Sequence, residues 1–201
     1  MGRRSDHSRA ELEALILAEG QRLMAEGGFA RFSAREVAKR IGYAVGTLYN
    51  VFGSYDLLLA TINTVTFEDW AKHLEARLAR ASDDRIAALV EGYFSFAADH
   101  PNLWSAIYDH RLPTDMAMPD ALAARRGVLT DIVVREVATV LPDAGKDRAP
   151  RLARSLVATV HGHCAFALNG SFALMGETAP LDMATARVKE ALAAAGATLP
   201  A

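Results

Sequence analysis

The sequence predicts an all-α protein: a three-helix N-terminal unit on a larger C-terminal helical bundle, about nine helices in all. Three observations carry this expectation. Alanine, leucine and arginine are abundant and β-branched runs are scarce, a balance that favours helix over strand. Helix-start signals recur, as "SRAE" (Ser8 to Glu11) and "SARE" (Ser33 to Glu36), both fitting the box in which Ser and Glu cap each other's backbone amides. Apolar residues then follow at helical spacing.

Taken in order, the first helix opens at Ser8, carries Leu12, Ile16, Leu17, Leu23 and Met24 on its apolar side, and closes at Gly27-Gly28. A short second helix runs from Ser33 to Gly42, and a third from about Val45 to Phe52. Ser54 can cap a long fourth helix. "SDD" at Ser82 to Asp84 starts a fifth that ends before Pro101, and "NLWSAIYDHR" continues as a sixth. After the loop "LPTDMAMP" comes a helix to about Leu141, then the loop "PDAGKDRAP", an uncharged helix and an alanine-rich helix from about Leu181 to Ala195. The expected domains are 1-56 and 57-201.

The 201 residues, 51% apolar and 23% charged, suffice for a real core. A net charge of −2 gives no whole-molecule attraction to nucleic acid, so any basic surface is local. One cysteine, Cys164, excludes an intrachain disulfide and fits a reducing cytoplasm. The N-terminus has arginines with no apolar stretch behind them, unlike a secretory signal. Ser155 to Gly176 lacks any charged residue, yet its two histidines, asparagine and three glycines read as a helix buried between subunits rather than a membrane span.

The stretch "REVAKRIGYAVGTLYNVFGS" has a layout that a core does not require. Val37 and Ile41 point inward from one short helix, Leu48 and Val51 from the next. Ala38 permits close approach, and Gly42 suits the left-handed residue that ends the first helix. This is a helix-turn-helix, whose second helix enters the DNA major groove. Gly46 lets a backbone come near, Thr47 and Tyr49 offer hydroxyls to phosphate, and Asn50 can bond adenine bidentately. Arg3 and Arg4 precede the first helix as a basic arm. Residues 1 to 60 hold eight Lys/Arg against seven Asp/Glu, so the spacing carries this reading and the charge does not.

Through "GGFARFSAREVAKRIGYAVGTLYNVFGSYDLLL", about a sixth of the chain, the sequence resembles the TetR family of transcriptional regulators. Gly28-Phe29, Ala38, Gly42, Gly46 to Tyr49 and Phe52 carry the match. The resemblance implies a dimeric repressor whose C-terminal bundle binds an effector. It also implies DNA contacts from Ser33, Thr47 and Tyr49 and base reading around Tyr43, Ala44, Gly46 and Asn50. Family members often have histidine at Val51 and a phosphate-binding lysine at Tyr55, so the resemblance implies that Tyr55 removes one phosphate contact. "TVHGHCAFALNG" looks like the Val-His-Gly segment of one subgroup.

In the bundle, Ser155, Ala158, Gly162, Ala165 and Asn169 form a stripe of small residues expected at a homodimer interface. Phe94, Trp104, Tyr108, His161 and Cys164 are candidate effector contacts, with Phe67, Trp70, Met116 and Met118 as outer possibilities; aromatics at this spacing are more often plain core. "HGHC" puts only His161 and Cys164 on one face, too few for a metal site, and no cofactor is expected. No catalytic motif is present. The expectation is a cytoplasmic, homodimeric, non-enzymatic regulator, most simply a repressor, that binds a palindromic double-stranded operator and is released by a small apolar or aromatic effector. The alternative is a helical-bundle ligand- or protein-binding protein whose DNA-reading unit is degenerate.

Overall fold

The computed structural model describes residues 7–200 and is all-α. Ten α-helices and two 3-10 turns, with no strand, are present among the described residues. The first is α1 (Arg9–Gly27), where the Ser8 hydroxyl accepts from the Glu11 amide and the Glu11 carboxylate accepts from the Ser8 amide. A 3-10 turn at Phe29–Arg31 leads to α2 (Ala34–Arg40). Here the expected box forms only by half. Ser33 accepts from the Glu36 amide, but the Glu36 carboxylate turns to Arg40 one turn on, 3.0 Å away. A guanidinium at i+4 competes with the backbone amide.

Helix α3 (Val45–Phe52) is followed by α4 (Tyr55–Leu78), which Ser54 caps through the Leu57 amide. The Asp84 carboxylate accepts from the Ala87 amide and so caps α5 (Arg85–Asp99). Pro101 begins α6 (Pro101–Asp109), its fixed φ suiting a first turn. Then come α7 (Asp120–Val140), a 3-10 segment at Asp143–Arg148, and α8 (Ala149–Leu168). The uncharged stretch is not one helix. It breaks at Asn169-Gly170, where Gly170 adopts φ +79°, and resumes as the single turn α9 (Ser171–Leu174). That break raises the count to ten. Helix α10 (Pro180–Ala194) closes the fold. No helix among the described residues is long and apolar enough to cross a membrane.

The chain packs as two compact units. Among the described residues one comprises 7–67 with His100–Arg125, the other Glu68–Asp99 with 126–200. In the first, Ile16, Met24, Val37, Leu48, Leu58, Leu59 and Ile62 lose all contact with water and bind α1 to α4 together. Helix α6 belongs to this unit. Asn102 donates to the Ala25 carbonyl at 2.7 Å, and Asn63 to the Ala106 carbonyl at 3.0 Å. The His110 ring lies 3.2 Å from the Asp56 carboxylate.

In the second unit Trp70 is stacked on Phe96, ring centroids 5.0 Å apart, with the edge of Tyr93 at 4.6 Å. One charge is deeply buried here: Glu136, 2% exposed. Arg85 grips it bidentately at 2.6 and 2.8 Å, and Arg135 bridges it at 2.9 Å to Glu75. Arg85 also donates to the Leu78 carbonyl, so α4, α5 and α7 are tied at one point.

Candidate nucleic-acid interface and apolar cavity

The turn between α2 and α3 is built as its residues demand. Gly42 takes φ +76°, in the region that a Cβ disfavours, and the Tyr43 amide closes the turn onto the Ala38 carbonyl at 2.9 Å. Ala38 and Leu48 are buried where the two helices meet, and Ile41 and Val51 pack on the same core. The outward face of α3 is then fixed. Ala44, Gly46, Tyr49 and Asn50 are exposed and Thr47 is half-buried. A Cβ added at Gly46 would meet nothing within 4 Å, so the approach to this face is open.

Among the described residues, Thr47, Tyr49 and Asn50 make no side-chain hydrogen bond. Their polar groups stand ready for another molecule. Ser33 and Tyr43 differ: the Ser33 hydroxyl is engaged in capping α2, and the Tyr43 hydroxyl lies 2.8 Å from His7 Nδ1. Tyr55, the first residue of α4, packs its ring against Phe32 at 6.3 Å. Burial, then Tyr49 and Asp56, push its phenol above the ordinary value, so it is neutral where a lysine would carry charge. Arg3 and Arg4 lie outside the described residues.

Electrostatics divides the remaining cations. Arg40 is shared among Glu36, Glu19 and Glu26 at 3.0 to 3.2 Å, and Arg22 pairs with Glu19 and Glu26. Hydrogen bonds to these carboxylates raise the pKa of both guanidiniums, and their field is largely neutralised. Arg9 and Arg31 instead donate to the Val51 and Gly27 carbonyls and keep their net charge. Exposed Arg35, at the start of α2, has no partner among the described residues. The sequence singled it out only as one cation among eight. Its freedom depends on which arginines the acidic residues of α1 take, and spacing alone does not reveal that.

Of the candidate effector contacts, Phe94, His161 and Cys164 belong to the second unit and Trp104 and Tyr108 to the first, where their rings sit 5.4 Å apart. Phe94 and Cys164 line one groove, with the Arg77–Glu91 ion pair beside them. His161 Nδ1 lies 2.9 Å from the Tyr93 hydroxyl, and burial lowers its pKa. Burial likewise pushes the Cys164 thiol up to about 12, so it is no thiolate near neutrality. Among the described residues no group of three or more His, Cys, Asp or Glu is placed to hold a metal ion. A separate cavity of about 50 Å³ lies among Leu74 of α4, Ile86, Leu89, Val90 and Tyr93 of α5, Val133 and Val137 of α7, three residues of α8 and Val188 of α10. Sequence reasoning did not pick out this lining, because buried aliphatics carry no motif.

On α8, Ser155, Ala158 and Gly162 are exposed, Ala165 is half-buried, and Asn169 caps the helix end. Beside them Phe166, Leu168, Leu174 and Met175 are 47%, 44%, 91% and 57% exposed, an apolar surface without cover in the single chain.

Residues 16–62 match the family model described as bacterial regulatory proteins, tetR family, and residues 86–194 match that of the tetracyclin repressor-like C-terminal domain. The HTH-type transcriptional regulators Mb1846 of Mycobacterium bovis and Rv1816 of Mycobacterium tuberculosis are each 29% identical over 141 residues, 66% of this chain and 57% of theirs. The match therefore spans little more than half the length of these curated relatives. Among solved structures, a protein of unknown function from Rhodococcus sp. RHA1 superposes with TM-score 0.70 at 22% identity, covering 96% of this chain and 98% of that one. A TetR transcription regulator from Haloarcula marismortui gives 0.60 at 18%, covering 92% and 98%. The multidrug binding protein EbrR complexed with imidazole gives 0.63 at 19%, covering 98% of each chain. At these identities the likeness is one of fold.

Proposed function

The chain belongs to the TetR family of bacterial regulatory proteins, and on that premise we propose that it is a DNA-binding transcriptional regulator whose occupancy of DNA a small molecule controls. The observation that carries the reading is helix α3: Tyr49 and Asn50 are exposed and Thr47 is half-buried, none with a side-chain hydrogen bond among the described residues, behind a turn that only Gly42 makes easily. Residues 1-56 are the reading domain, with Thr47 and Tyr49 on phosphate, Asn50 on a base edge, and Ala44 and Gly46 allowing close approach. Arg35 adds a phosphate contact, partly replacing the charge that Tyr55 does not supply.

The sensing and dimerisation domain, expected over residues 57-201, has its core in the second unit, whereas the start of α4 and α6 pack with the reading helices. The uncovered apolar residues of α8 and α9 beside the small-residue stripe support a homodimer, which would present two copies of α3 to a two-fold operator. Small-molecule sensing is supported by the likeness in fold to the multidrug binding protein EbrR. Release of the operator by effector makes the protein a repressor, provided the effector binds its two states with different affinity.

The test is selection of duplexes from a random pool by purified protein and by the Tyr49→Ala variant at two salt concentrations. An enriched palindrome, lost in the variant and weakened by salt, is the expected result. A folded dimer that enriches no sequence would overturn operator reading and favour a ligand-binding bundle with a degenerate reading unit, to which the internal neutralisation of Arg22 and Arg40 would then belong.

A further inference from the structure

We infer that the cavity among α4, α5, α7, α8 and α10 is a site for a compact, uncharged aliphatic molecule of about four or five heavy atoms. The inference rests on the reading of the second unit as the sensing domain and names the class of ligand it takes.

The chemistry of the walls sets the class. Ten of the eleven lining residues are Leu, Ile or Val, and the other is Tyr93, whose hydroxyl is already engaged with His161. The charged neighbours in sequence of these residues are satisfied elsewhere. Arg85, next to Ile86, grips Glu136, which is next to Val137, and Arg135 joins Glu136 to Glu75, which is next to Leu74. An ionised ligand would shed its hydration here and find no counter-charge, which is strongly unfavourable.

Size and stiffness narrow the class further. A void of about 50 Å³ seats about four water-sized groups at roughly 10–15 Å³ each. Six of the lining residues are valines, and a β-branched side chain has few rotamers with which to swing inward and close the gap. The space is thus held open before any ligand arrives. A globular aliphatic group fits such walls better than a long chain or a stacked ring, and this differs from the aromatic contacts that the sequence brought forward.

The experiment uses the full-length protein with ¹³C-labelled valine methyls, titrated with tert-butanol, with tert-butylammonium, and with phenol. The first two share shape and heavy-atom count and differ in charge. Saturable shifts of the Val133, Val137, Val157 and Val160 methyls with tert-butanol alone are expected, abolished in Val188→Phe. Should that variant fail to fold, Val157→Ile fills the same cavity more gently and is expected to weaken the response at least threefold. No saturable shift with tert-butanol, or an equal response to either other probe, overturns the assignment. Selective DNA binding is measured in parallel on the same samples. If it is absent while the valine response is intact, the regulator reading fails and the cavity assignment stands; the reverse pattern sinks the cavity assignment alone.

Discussion

On α3, Tyr49 and Asn50 stand in solvent with their hydrogen-bonding groups unused among the described residues, and the arginines of α1 and α2 divide into those held by Glu19, Glu26 and Glu36 and those that none of these carboxylates holds. In the second unit the polarity is reversed. The charges of Glu75, Arg85, Arg135 and Glu136 close on themselves, and the space beside them in sequence is walled by aliphatics. A surface that must recognise a polar partner keeps its polar groups unpaired, whereas an interior that must admit an apolar one pairs them off first. The two regions therefore answer differently to substitution: the first in binding, the second in stability.

The largest expected effect tests the second region. Removing one partner of the buried cluster with Glu136→Ala leaves Arg85 without a carboxylate and Arg135 with Glu75 alone. The variant should lose about 2–4 kcal/mol in urea unfolding, below the loss for a fully enclosed pair because both guanidiniums reach water. The hydrogen bonds from Arg85, opposed by burial, hold the Glu136 carboxyl below its ordinary value of 4.5. Its contribution is therefore present above pH 4.5 and is lost as pH falls through the depressed folded value. Acid unfolding curves should show this slope in the parent chain and a shallower one in Glu136→Gln.

A smaller effect, in a different observable, tests the first region. Asn50→Ala should leave the unfolding curve within about 0.5 kcal/mol of the parent, as expected of an exposed side chain. It should cost about 1–3 kcal/mol of operator affinity and relax base preference at one position per half-site. A matching loss of stability would show that Asn50 serves the fold and would erase the contrast. The smallest effect separates two arginines of one helix. Arg35→Gln should lower the slope of log affinity against log salt by about one per bound subunit, as for loss of a phosphate contact. Arg40→Gln, whose charge is already balanced, should leave the slope nearly unchanged. Equal slopes in the two variants would mean that the carboxylates of α1 release Arg40 when DNA arrives.

The contrast also explains what the sequence made legible. Gly42, Ala38 and the capping serines do their work through backbone geometry that only a few residue types satisfy, so helix boundaries and the reading face stand out in a single chain. The break at Asn169-Gly170 was hidden, because an uncharged run with scattered glycines is compatible with one helix until Gly170 takes its left-handed conformation. The half-formed box at Ser33 was hidden too, since nothing local tells whether Glu36 prefers its own backbone or Arg40. The valines of the cavity were least visible. Val133, Val157 and Val188 look like any core residues, and only their assembly from three helices distant in sequence makes a space.

That space has a mechanical side. A cavity of about 50 Å³ per molecule amounts to about 30 mL/mol, and the part of it that the folded unit keeps from water is filled when the surrounding helices come apart, within the range of volume losses that accompany unfolding. Hydrostatic pressure therefore pulls on the second unit through its emptiness, at constant temperature and without denaturant. Occupying the void removes that handle, so the pressure at which the unit opens becomes a gauge of whether anything sits inside.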